Sequence, residues 1–152
     1  PYPKLTYNPN HNTSSKGDDI LAFKINENNI ISLCLGEVKV ISKYSNTTLN
    51  NAYSQLESSY KPHPKSLNLI MNYMYNINDS LVFELEKLLV PEKFKSLRKD
   101  NWIFIISGNN PNKLEINKEI NLDNLKIVSF PISDLNNFIN ELYDSCGEFY
   151  ND

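Results

Sequence analysis

Residues 30–41 are apolar on both faces for much of their length, and no other stretch constrains the fold so tightly. A run of this kind predicts a central strand, covered on both sides. Residues 19–26 form a second strand-like segment, joined to the first by the polar loop Glu27-Asn28-Asn29. Together they predict a β-hairpin.

The hairpin carries charges in apolar surroundings. Asp19 opens the first strand, and Glu37 and Lys39 stand two positions apart near the end of the second. A charge at the edge of a core is unfavourable unless it binds something. Register decides which acid meets which. With a three-residue loop at 27–29, Ile25 opposes Ile31, Phe23 opposes Leu33, Leu21 opposes Leu35, and Asp19 opposes Glu37. A four-residue loop would set Phe23 against Ser32, Leu21 against Cys34 and Asp18 against Glu37. A slip of one residue turns every side chain over, so the hydrophobic pattern selects the first register. Asp19 is the expected partner of Glu37, with Asp18 as the alternative. Lys39 shares the face of Glu37, because strand side chains alternate.

Two opposed carboxylates repel each other unless a cation lies between them. Mg²⁺, or Mn²⁺ in its place, suits this setting: it takes hard oxygen ligands, commonly one or two carboxylates with waters and substrate phosphate. Asp19 and Glu37 are the expected ligands, and the Val38 carbonyl between Glu37 and Lys39 is a third oxygen. Phosphodiester hydrolysis needs an activated water and relief of negative charge at phosphorus. Lys39 has the chemistry to orient that water or neutralise the transition state.

The rest of the chain reads as helices and two more strands. A helix from about 47 to 61, capped by Ser45, Asn46 or Thr47, shows Leu49, Ala52, Tyr53, Leu56 and Tyr60 at helical spacing. Ser66 is expected to cap the next helix, and Asp79 or Ser80 the one after it. Pro91 suits the first turn of a short helix through Leu97. Residues 102–106 and 126–130 read as strands, and a last helix is capped near Ser133. This order predicts an α/β fold, a mixed central sheet flanked by helices. Trp102 and Phe104 are expected in its core.

The hairpin motif resembles the PD-(D/E)XK nuclease superfamily, through Asp19 on the first strand and Gly36-Glu37-Val38-Lys39-Val40 on the second. That resemblance implies a restriction-endonuclease-like core and a metal-dependent endonuclease acting on DNA. It also implies a further polar active-site residue on the helix after the lysine strand, for which Gln55 is the candidate. Residues 17–23 with 35–39, and more loosely 64–68, are similar to the nuclease subunit of the Hachiman anti-phage defence system. That similarity implies a bacterial DNase working beside a helicase partner. The superfamily core begins with a helix before the hairpin, and little precedes it here. Residues 1–152 are expected to form a single nuclease-like domain; Pro1-Tyr2-Pro3 is no natural initiator, and a fragment lacking its N-terminal helix is the alternative.

Composition bounds these expectations. The net charge of −3 counts against DNA binding through the whole surface, though not against cations gathered around a cleft. It favours a competing reading: a catalytically inactive subunit that keeps the nuclease fold for assembly or DNA docking. Cys34 and Cys146 are expected to be reduced structural thiols, which places the chain in the cytoplasm. No apolar stretch approaches the roughly 20 residues of a membrane helix. Two dispersed histidines and two cysteines make zinc an unsuitable metal. His63 reads as part of a solvated loop. Lys93, Lys95, Arg98 and Lys99 read as a solvated helix face, with a DNA-contacting ridge as the alternative. Asparagine makes up about one residue in six, far above typical usage, and reads as compositional drift.

Overall fold

The hairpin expected from the sequence is the edge of a four-stranded sheet. The structure, a computed structural model, describes residues 7–8, 13–14, 18–27, 29–61, 63–77 and 79–148. Tyr7–Asn8 (β1) and Thr13–Ser14 (β2) form a two-residue antiparallel ladder. Ile20–Asn26 (β3) pairs antiparallel with Asn29–Ile41 (β4), and β4 pairs parallel with Arg98–Ser107 (β5). Leu125–Pro131 (β6) pairs parallel with β5 at the other edge. The strand order β3-β4-β5-β6 makes a mixed sheet flanked by helices, the α/β architecture predicted above.

Phe23 opposes Leu33 and Leu21 opposes Leu35, as the hydrophobic pattern requires. The turn end differs from expectation. Ile25 pairs with Ile30, not Ile31, and Asn26 pairs with Asn29, so a two-residue connection replaces the three-residue loop. A bulge between Lys24 and Ile25 absorbs the difference and returns the strands to the core register. Glu27 takes the left-handed backbone, with φ of 47°. β3 starts at Ile20, so Asp19 lies just outside the ladder.

One face of the sheet carries the core. Leu33 and Leu35 of β4 and Ile103 and Ile105 of β5 meet the stripe Leu49, Ala52, Tyr53 and Leu56 of Asn46–Ser58 (α1), all essentially inaccessible to solvent. Burying each large apolar side chain contributes about 1.5–3 kcal/mol. Ser45 caps α1 through its side chain, which accepts from the Thr48 amide at 3.2 Å. Lys65–Asn76 (α2), Val82–Lys87 (α3) and Pro91–Ser96 (α4) close the same core with Leu67, Met74, Leu85 and Phe94. Leu135–Glu148 (α5) follows β6, with the Asp134 carboxylate, rather than Ser133, accepting from the Asn137 amide.

The opposite face of the sheet is only half covered, which corrects the reading of β4 as buried on both sides. Val40 is 52% exposed there. Trp102 and Phe104 also lie on this face rather than in the core. They stack at 5.6 Å, and Phe104 stacks in turn on Phe130 at 6.3 Å.

Asparagines brace the long connection between β5 and β6. Asn50 Oδ1 accepts from the Asn117 amide, Asn101 donates to the Asp123 carbonyl, and Asn124 donates to the Lys99 carbonyl. The abundance of this residue therefore has structural uses that composition could not reveal.

Asp18 has a structural task as well. It is 2% exposed and hydrogen-bonded to Ser66 in three ways. The Asp18 amide donates to Ser66 Oγ at 2.9 Å, the Ser66 amide donates to Asp18 Oδ2 at 3.1 Å, and Ser66 Oγ donates to the Asp18 carbonyl at 3.3 Å. Ser66 does not take the cap position of α2 that its sequence context predicts. Instead Pro64 holds the cap position without a side-chain bond, and Asp18 supplies the carboxylate from a distant segment. Asp18 is thus spent on α2, which removes it as the alternative partner of Glu37. Asp18→Ala is expected to lower stability by about 1–2 kcal/mol, as for other lost helix caps, with Asp18→Asn much less affected. Urea unfolding midpoints of the two variants check this.

Candidate active site

Three charged side chains and one amide meet where the β3–β4 ladder ends. The last pair of that ladder is Ile20 with Gly36. Gly36 allows the close approach there, since a Cβ on it would stand 3.0 Å from the Ile20 Cβ. Beyond it, Glu37 and Lys39 alternate onto the face already occupied by Leu33 and Leu35. Lys39 Nζ lies 2.6 Å from Glu37 Oε1 and donates to Gln55 Oε1 of α1 at 2.5 Å. Gln55 reaches it because it stands beside Leu56, on the flank of the buried stripe of α1.

Asp19 joins from the neighbouring segment. Its Oδ2 accepts from the Val38 amide at 2.8 Å. This bond replaces a rung that β3 is too short to supply. The N–H and C=O of a strand residue point to the same side, so the Val38 carbonyl also faces Asp19, past the last rung. The residues singled out from the sequence, Asp19, Glu37, Val38, Lys39 and Gln55, therefore come together.

Their electrostatics is strained by proximity. Burial pushes the Glu37 carboxyl above the ordinary glutamate range. The hydrogen bond from Lys39 works against that rise, and the charge and close contact of the Asp19 carboxylate add to it. The Glu37 side chain is only 12% exposed, so this repulsion is poorly screened. Among the described residues no group of three or more His, Cys, Asp or Glu gathers as a metal cage. Two carboxylates and a main-chain carbonyl suit a hard ion that keeps its own waters, and lack the nitrogen and sulfur donors that zinc prefers.

His63, the basic residues 93–99 and the cysteines lie away from this site or outside the described side chains. The ring of His63 is 3.5 Å from the Asn68 amide nitrogen. The basic cluster does not form one helix face: Lys93 and Lys95 belong to α4, whereas Arg98 and Lys99 begin β5. Lys99 turns inward, donating to the carbonyls of Lys95 and Leu97. The Cys34 thiol is pushed up by burial, an unreactive setting. The side chain of Cys146 lies outside the described residues. No helix among the described residues is long and apolar enough to cross a membrane.

Sequence reasoning missed the support behind Asp19. Its preceding residue, Asp18, is clamped to Ser66, 48 positions away in sequence, and so fixes where Asp19 emerges. No local pattern signals that pairing.

The raised Glu37 has a consequence for stability. Just above the ordinary glutamate value of about 4.3, the folded chain retains a proton that the unfolded chain has released. Stability from this group is therefore full at lower pH and is lost as pH rises through the raised value. In the absence of divalent metal, urea midpoints should fall across that interval, and Glu37→Gln should flatten the slope. Identical slopes in the two proteins would contradict the placement of Glu37.

A protein-family model, HamA, matches residues 1–146. No curated protein and no solved structure matches the chain. Because the match covers nearly the whole sequence, the chain belongs to the HamA family, a membership consistent with a role in Hachiman anti-phage defence.

Proposed function

We propose that this protein is a Mg²⁺- or Mn²⁺-dependent endonuclease of the PD-(D/E)XK type that hydrolyses phosphodiester bonds in DNA, in anti-phage defence and beside a helicase subunit. The observation that carries the reading is the convergence of the Asp19 and Glu37 carboxylates, with the Lys39 ammonium held between Glu37 and Gln55. Asp19 and Glu37 would hold the ion, with the Val38 carbonyl beside them. When bound, the ion supplies Lewis acidity, lowering the pKa of a water and drawing charge from the phosphate.

The remaining work belongs to the chain. Lys39, oriented by two oxygens, presents its third N–H to the attacking water or to a phosphate oxygen on which charge grows. Gln55 keeps that ammonium from folding wholly onto Glu37. Asp19 holds the Val38 amide and so fixes the strand that carries both Glu37 and Lys39.

The net charge of −3 favours the second reading, a catalytically inactive subunit serving assembly or DNA docking. Cleavage of linear, nicked and single-stranded DNA with Mg²⁺ or Mn²⁺ separates the two. Asp19→Ala, Glu37→Ala and Lys39→Ala should each lose about 100-fold or more in rate. Gln55→Ala should lose about tenfold, the loss expected when one oriented hydrogen bond goes. Equal cleavage by wild type and the three charge-removing variants would overturn the assignment.

A further inference from the structure

A cavity of about 470 Å³ lies on the far flank of α1 from Lys39, in the size range of small-molecule sites. Glu57 lines it, and two positions along a helix are about 200° apart, so Glu57 and Gln55 look to opposite sides of the buried stripe. The apolar wall is formed by Tyr60, Phe94 and Leu122. The wall is rigid by construction. Tyr60 donates to Asn101 Oδ1 at 2.6 Å, and Asn101 Nδ2 donates to the Asp123 carbonyl at 2.7 Å, so the segment just after α1, β5 and the approach to β6 are tied together.

Four of the charged side chains around this cavity stand outside the ion pairs of the described residues. Lys61 and Lys95 line it with Glu57 and Asp123, and none of the four forms an ion pair among the described residues. Lys99, over the Phe94 ring at 5.0 Å, adds a third ammonium, which donates to the main-chain carbonyls of Lys95 and Leu97. The Asp123 carboxylate acts on the Lys99 ammonium without forming an ion pair with it, and a cavity lined by both signs of charge suits a ligand with an anionic end and a hydrogen-bond-donating end. A flat ring between those ends would use the apolar wall.

We propose that this cavity is a nucleotide site, with the base against Tyr60, Phe94 and Leu122, its amino edge toward Glu57 and Asp123, and its phosphate at Lys61 and Lys95. A carboxylate accepts readily from the paired N–H groups of guanine or the amino group of adenine, whereas uracil offers no amino group. The ammonium groups make charge-assisted bonds to phosphate. This site is separate from the carboxylate site and stands whether or not the chain cleaves DNA.

Isothermal titration of the metal-free protein with guanosine, adenosine and uridine 5′-monophosphates, and with inorganic phosphate, tests it. Saturable binding of the two purine nucleotides is expected, with uridine monophosphate and phosphate each weaker by about tenfold or more. Lys61→Glu and Lys95→Glu, both at exposed positions, should each weaken purine nucleotide binding by about tenfold or more, circular dichroism confirming the fold. Glu37→Gln should leave it unchanged. A short purine oligodeoxynucleotide forms the second arm. Binding of the oligonucleotide alone, with no mononucleotide bound, would make the cavity a contact for a strand and overturn the proposal. The proposal is overturned by no saturable binding at millimolar ligand, by phosphate binding as tightly as nucleotide, by affinity that survives both lysine reversals, or by affinity lost in Glu37→Gln.

Discussion

Two carboxylates brought together at the end of a strand ladder are unfavourable, and the local structure around them is arranged to hold them there. Glu37 loses water because it continues the face that buries Leu33 and Leu35. Asp19 cannot move away, because its carboxylate accepts the Val38 amide and its backbone follows the Asp18–Ser66 clamp. Lys39 offsets part of the repulsion, yet Gln55 draws the same ammonium toward α1. What remains is a concentration of negative charge that a divalent cation would relieve.

The fold explains why this arrangement can be held. β4 is flanked by β3 and β5, and its core side chains are locked under α1, so Glu37 and Lys39 stand on a rigid element. β3 ends one pair before Glu37, and among the described residues no strand pairs with the main-chain groups of Val38 on that side. Edges of this kind are ordinarily blunted or covered. Here the Asp19 side chain takes the place of the missing rung. The aromatic row of Trp102, Phe104 and Phe130 lies on the reverse of the sheet and takes no part in this site.

Much of this was legible in residue order because strand periodicity is strict. Once Phe23 faces Leu33 and Leu21 faces Leu35, the positions of Asp19, Glu37 and Lys39 follow from alternation alone. Gln55 was legible through the family resemblance and the helical stripe beside it. The turn was not, because a bulge at Lys24 and Ile25 and a left-handed Glu27 yield the same core register as a three-residue loop. Asp18 was not, because its partner lies in another helix. Trp102 and Phe104 alternate onto the face opposite Ile103 and Ile105, and aromatic character alone does not say which face a helix covers. The cavity beside Glu57 is assembled from four separate stretches of chain, so no local pattern announces it.

A crystal grown with Mn²⁺, with anomalous scattering recorded at the manganese edge, tests the central claim most directly. The account predicts a peak in contact with carboxylate oxygens of both Asp19 and Glu37, beside the Val38 carbonyl, and no such peak in Glu37→Gln. A wild-type crystal saturated with Mn²⁺ that shows the two carboxylates apart, with no peak between them, would contradict it.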